Sequence, residues 1–340
     1  MFIFTLIALA HEGGHFFAAK KAGMKVLEFG VGFGPRIFAK EINGTIFSIN
    51  LIPILAFVSL AGMDESKDID VNSIPQNERY ESKTPLQKIS MAFMGPFMNI
   101  VLAFVILSFT FAIFGMPKSL SNYVGQVSPK SVAEKSGLKQ NDQIIELNGK
   151  KNILMPEIIE KIHSSKDKEL TFKVLRDGKE VSIKATPKYN EKLKLAVIGF
   201  TPKPVYESVN PFMAIVYGAQ QTFGMIVMTF FVLAKLITGG ISLGDLAGPV
   251  GIAQVTGRYA ETGIISFLTF FAFLNVNIGV LNLLPLPALD GGHIIFALIE
   301  WITRRPVSEK IQKVITQWGM ILLLTLMALV TVNDLFRLFR

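Results

Sequence analysis

"LIALAHEGGHFFAAKK", residues 6–21, decides how the rest of the chain is read. It is an apolar run with two histidines and a glutamate at its centre. Ionisable side chains inside a membrane-length helix are costly, so they are functional by default. His11 and His15 stand at i and i+4, one turn apart on one helix face, where both imidazoles can reach a single zinc ion. Glu12, beside the first histidine, can reach a water at that ion and act as a general base. Gly13 and Gly14 each lower helix propensity by about 1 kcal/mol relative to alanine. They would let another backbone or a substrate come close.

The surrounding composition fits a membrane setting. Half of the 340 residues are hydrophobic and the mean hydropathy is +0.45, too apolar for an ordinary soluble domain. The formal net charge is +8. No basic run is interleaved with aromatics as a nucleic-acid face would need, so the excess reads as a positive-inside bias and not as nucleic-acid binding. There is no cysteine. Disulfides, Cys-ligated zinc and Fe–S clusters are excluded, and any metal site must be built from His, Asp and Glu.

About 20 apolar residues cross a bilayer. Four segments are expected to do so: 1–22, which carries HEGGH; 86–115; 263–303, broken by "NLLPLPALDGG"; and 314–338. Lys20, Lys21 and Lys25 place the C-terminal end of the first span in the cytosol. Residues 212–238 are also apolar. If they crossed, Arg304, Arg305, Lys310 and Lys313 would fall outside, against the positive-inside rule. The 189–262 region is therefore read as a linker with a membrane-associated, non-crossing segment.

Between the first two spans, residues 23–85 contain "RIFAKEINGTIFSINLI", residues 36–52, an alternating stretch around Asn43-Gly44. That is a strong two-residue hairpin signal, and "AFVSLAG" extends it as a further strand. The polar, turn-rich "DESKDIDVNSIPQNERYESKTP" reads as a cytosolic loop. Residues 120–188 differ in kind: short alternating strands, turns at Asn148-Gly149 and Asp177-Gly178, and a short helix from Pro156 to His163. The stretch "SGLKQNDQIIELNG" resembles the signature of bacterial PDZ domains. His163 reads as a surface residue of that domain.

A catalytic zinc needs a third protein ligand and an open position. The segment "NLLPLPALDGGH", residues 282–293, is the plausible supplier. Pro285 and Pro287 break its helix, and irregular backbone at membrane depth is tolerated only where protein or a water-filled cavity satisfies it. Asp290 and His293 are both chemically able, and spacing does not choose between them.

Taken together, HEGGH at 11–15, "GPFMN" at 95–99, one PDZ-like domain, "LAGPVGIAQ" at 246–254 and "NVNIGVLNLLPLPALDGGH" at 275–293 resemble the site-2 protease family of intramembrane zinc metalloproteases. The likeness is to the regulator-of-sigma-E protease type and spans nearly the whole chain. The resemblance implies a polytopic α-helical membrane protein of about four spans, with a cytosolic-side β-hairpin and one extracytoplasmic PDZ-like α+β domain. It implies a bacterial inner-membrane location. By the same resemblance His11, His15 and Asp290 hold Zn²⁺, Glu12 is the general base, and Asn282 binds the substrate backbone or the oxyanion near the metal. The implied substrates are single-span membrane proteins, of the anti-sigma factor or remnant signal peptide type, and the hairpin is implied to pair with the substrate as an added strand. One departure stands out: Leu55 and Ala56 replace the family's usual glycine pair. The rival function is a membrane cation transporter using the same His/Glu/Asp cluster, against which the chain shows one broken segment and no internal repeat. A membrane-anchored PDZ scaffold would leave HEGGH and LDGG unexplained.

Overall fold

A computed structural model of the chain describes residues 2–63, 73–191, 194–241, 244 and 247–338. The part of the polar loop at 64–72 lies outside the described residues, as does 246, the first residue of the LAGPVGIAQ motif. In chain order the elements are α1 (Phe2–Lys21), β1 (Val26–Ile42), β2 (Thr45–Leu60), α2 (Pro85–Phe114), β3 (Met116–Val127), α3 (Val132–Lys135), β4 (Gln143–Leu147), β5 (Lys150–Lys151), α4 (Met155–Ser164), β6 (Leu170–Arg176), β7 (Lys179–Ala185), β8 (Lys188–Asn190), β9 (Leu195–Val197), β10 (Phe200–Glu207), α5 (Pro211–Ile237), α6 (Pro249–Thr262), α7 (Ile264–Asn282), α8 (Asp290–Thr303) and α9 (Glu309–Leu338). They form two compact units, one of residues 1–110 and 215–340, the other of residues 111–214.

The first unit is helical. Among the described residues α2, α5, α7 and α9 are long and apolar enough to cross a membrane. α5 is one continuous helix of 27 residues. The span expected at 263–303 is two helices, α7 and α8, separated by seven residues without regular structure other than turns. Pro285 and Pro287 lack the N–H a helix needs there. Ala288 takes a left-handed conformation, φ 72°, which turns the chain back into α8.

α1 and α2 touch at backbone distance. A Cβ added to Gly14 would run into the Met94 carbonyl, so the close approach expected of the glycine pair belongs to Gly14. Gly13 has nothing near enough to need its bareness. At the other end of α1, Ile3 and Ile7 pack on Phe270, Phe271 and Leu274 of α7. A buried ion pair, Lys88 Nζ to Glu300 Oε2 at 2.8 Å, ties α2 to α8.

The hairpin turns at Asn43-Gly44, with Ile42 opposite Thr45. Both turn residues have positive φ, 51° and 71°, as a two-residue hairpin loop of this hand requires. β1 starts ten residues before the expected Arg36. Its first part has partners on both sides: Gly30 lies opposite Ser48 on one and Phe57 on the other. The 56–60 strand thus continues the sheet, as "AFVSLAG" suggested, and among the described residues no strand pairs with its outer edge. Glu28, buried, gathers Arg36 and Ser48 and pins the turn between them.

The second unit is an antiparallel sheet in the order β10-β3-β4-β6-β7, with β5 beside β4. Phe172, Ile144, Val124 and Val174 fill its core, and α4 contributes Met155, Ile158 and Ile162 from one face. The Asn148-Gly149 and Asp177-Gly178 turns stand where the sequence puts them. The sheet runs past residue 188, because β10 pairs along β3.

Candidate metal centre

α1 presents His11 and His15 on one face, and α8 presents Asp290 at its first residue. The three meet. His11 Nε2 lies 3.0 Å from Asp290 Oδ2, His15 Nε2 lies 3.2 Å from Asp290 Oδ1, and the two Nε2 atoms are 3.1 Å apart. Two ligands held at zinc bond lengths around a tetrahedral ion stand about 3.3 Å apart. The observed separations are close to that spacing.

Hydrogen bonding at the far side of each ring decides what the near side offers. His15 Nδ1 donates to the Met91 carbonyl, 2.8 Å away in a buried position. A neutral imidazole then has only a lone pair on Nε2, aimed at a carboxylate oxygen and at another ring nitrogen. A cation among the three atoms resolves that arrangement. α2 makes room for it: a Cβ on Gly95 would land in the His15 ring. Further along α2, Asn99 sets its carboxamide 3.2 Å from His11 Nδ1. The donor set is nitrogen and oxygen with no sulfur, suited to a catalytic zinc.

A cavity of about 270 Å³ opens on the three groups. Glu12 lines it, with Asn282 at the end of α7 and Val58 and Leu60 of the outer strand of the hairpin sheet. His11, Glu12, His15, Asn282 and Asp290 are therefore at one place. His293 also lines the cavity but is not one of the three donors that lie within 4.8 Å of one another. His163 sits on α4 in the other unit. Asn99, Gly95 and the Met91 carbonyl were not assigned a role from sequence. A signal existed for the first, since an asparagine inside an apolar span is costly without a partner.

The model of peptidase family M50 matches residues 1–326. The chain belongs to peptidase family M50. It is 30% identical to the regulator of sigma-W protease RasP of Bacillus subtilis, over 99% of this chain and 97% of that protein. It is 34% identical to a Fusobacterium nucleatum protein named a zinc metalloprotease, over 98% and 96%. Among solved structures it is similar to the PDZ domain of a SdrC-like protein of Listeria monocytogenes, with 23% identity, 25% of this chain and 90% of that chain covered, and a TM-score of 0.23. This M50 peptidase is a zinc metalloprotease with multiple membrane helices. Its membership does not favour the transporter reading of the same cluster.

Proposed function

We propose that this M50 peptidase hydrolyses a peptide bond inside the transmembrane segment of single-span proteins, of the anti-sigma factor or remnant signal peptide type. The observation that carries the reading is the meeting of His11, His15 and Asp290, from segments some 280 residues apart in the chain, in the one cavity that also holds Glu12. In this reading those three residues hold the zinc. When bound, the ion supplies Lewis acidity to the scissile carbonyl and to an attacking water. Glu12 takes the proton of the attacking water and hands it to the leaving amine. The Asn282 carboxamide donates to the substrate backbone and fixes the carbonyl's direction. Helix in lipid has its own carbonyls bonded, so the substrate must be held unwound. Among the described residues no strand pairs with the outer side of residues 56–60, so a substrate strand could add there, and Val58 and Leu60 lie on the cavity it would feed.

The sidedness that goes with this is the hairpin and the 304–313 loop in the cytosol and the PDZ-like domain outside. Lys20, Lys21 and Lys25 after α1, and Arg304, Arg305, Lys310 and Lys313 after α8, support it. With that sidedness α5, though long enough to cross, lies in the interface or re-enters. Single cysteines introduced at 308 and at 166 test it, since the chain has none of its own; labelling of both from one side overturns it.

The experiment for the activity pairs metal analysis of detergent-purified protein with cleavage of a single-span substrate. Glu12→Gln should lower turnover by about 10²–10⁴-fold while zinc stays stoichiometric. Near wild-type cleavage by that variant would sink the mechanism.

A further inference from the structure

α2 meets the two histidines with three residues spaced four apart. The Met91 carbonyl accepts from His15 Nδ1, Gly95 lies flat against the His15 ring, and Asn99 reaches His11 Nδ1. α1 and α2 run in opposite senses here: from His15 back to His11 is four residues along α1, and their Nδ1 partners, Met91 and Asn99, are eight residues apart along α2. The two imidazoles are thus supported in the same way, but by different atoms. Behind His15 stands a backbone carbonyl, which can only accept. Behind His11 stands a carboxamide, whose two ends are opposite in kind.

The oriented contact puts the Asn99 Nδ2 end toward His11, at 3.2 Å. Asn99 is fully buried, and its Oδ1 has no hydrogen-bond partner. Carboxamide nitrogen and oxygen have nearly the same shape, so which end faces a ring is fixed by the ring's proton. If Nδ2 faces His11, Nδ1 must carry the lone pair and Nε2 the proton. That proton would point into the space shared with His15 and Asp290. If His11 instead offers Nε2 to a cation, Nδ1 carries the proton and needs an acceptor, and Asn99 Oδ1 becomes that acceptor after a half-turn of the amide.

We infer that Asn99 is a positioning residue for the metal centre, which turns its carboxamide oxygen to His11 Nδ1–H and so holds His11 in the tautomer that presents Nε2 to zinc. The inference rests on the ligand set proposed above. Outer partners of metal-bound histidines are commonly worth about 10–100-fold in metal affinity. Asn99 differs from the carbonyl behind His15 in serving both forms of its ring. With the ion present it accepts; without it, it donates.

The test is zinc affinity of the full chain in detergent, read by competition with a chelator, together with zinc content after gel filtration. Asn99→Leu keeps the volume and removes the acceptor; its zinc Kd should rise about 10–100-fold. Asn99→Asp restores an acceptor at the same reach and should return the Kd to within about threefold of wild type. Should Asn99→Leu fail to fold, Asn99→Ala reads the same loss. Wild-type affinity in the variants that lack the acceptor overturns the proposal. Equal losses in the Leu and Asp variants also overturn it, since they would show a packing role alone. His11→Ala and Asp290→Ala are run alongside. If these retain full zinc, the ligand set itself is wrong; if they lose it while the Asn99 variants do not, only the role of Asn99 falls.

Discussion

The two units of this peptidase place polarity in opposite ways. In the 116–207 domain the interior is Phe172, Ile144, Val174 and Ile158, and the lysines and glutamates face out. In the helical unit the outward residues are large and apolar: Phe17 is 70% exposed, Phe231 55% and Ile237 85%. Its interior holds His15, Asn99, Thr110 and Asn275, all buried. A soluble domain hides apolar surface from water. A helix bundle in lipid gains nothing by hiding it, and closes on small and polar residues instead. Among the described residues the first unit accordingly buries most of the molecule's buried polar side chains, whereas the one deeply buried acid in the second, Asp142, is matched by a two-pronged Arg176 at 2.7 Å and has an ordinary structural use.

This contrast can be broken most sharply at the metal centre. Asp290→Ala should remove zinc and abolish cleavage while the helical unit stays folded, and His293→Ala should keep the metal; metal analysis on both decides. The opposite pattern would mean that the first residue of α8 is structural and the next turn is the ligand. Next in size is a substitution that adds a single methyl-sized group. Gly95→Ala places a Cβ in the His15 ring, and zinc affinity should fall at least about tenfold. Wild-type zinc affinity in this variant would show that α2 and α1 separate freely, and that the close contact is not what holds the ring.

The third test sets one unit against the other. Phe172→Ala should cost the PDZ-like domain about 3–5 kcal/mol, seen as faster pulse proteolysis within residues 116–207, with zinc still bound. Phe231→Ala, on the outer face of α5, should change stability by less than about 0.5 kcal/mol. Equal costs for the two phenylalanines would show that the inversion of polarity is not real. The smallest effect is expected at Leu55, which holds φ 69° in the link leading to the outer hairpin strand. Left-handed backbone costs a side-chain-bearing residue about 1–2 kcal/mol, so Leu55→Gly should raise the thermal midpoint slightly or leave it unchanged. A clear loss would mean that the leucine side chain, though exposed, contributes more than the strain it brings.

Local signals were legible in both units. Asn43-Gly44, Asn148-Gly149 and Asp177-Gly178 each make their turn because a two-residue hairpin loop needs positive φ, and these residues supply it without help from the rest of the molecule. Signals that depend on neighbours were not. β10 contains Pro202 and Pro204, which argue against a strand; they are tolerated because β10 is an edge of its sheet and their missing N–H groups can face away. The early part of β1 carries Gly30, Gly32, Gly34 and Pro35, which read as a turn. It is held in the sheet because residues 28–31 have partners on both sides.

For the site, the sequence by itself determined that two histidines capable of sharing a metal, with a glutamate beside them, lie on α1. Helical spacing of 3.6 residues per turn puts His11 and His15 on one face whatever surrounds them. It pointed too to a break in the helix at Pro285 and Pro287, which remove backbone donors. Only the tertiary structure decided which group from α8 lies against the two histidines. Asp290 and His293 are three residues apart, so they share a face of α8 and both reach the cavity. The choice turns on the angle at which the chain enters α8, set by the left-handed Ala288, and that angle is a property of packing and not of spacing. The same holds for Asn99 and Gly95: their meaning comes from α2 lying against α1 in one register, which no local rule of the sequence specifies.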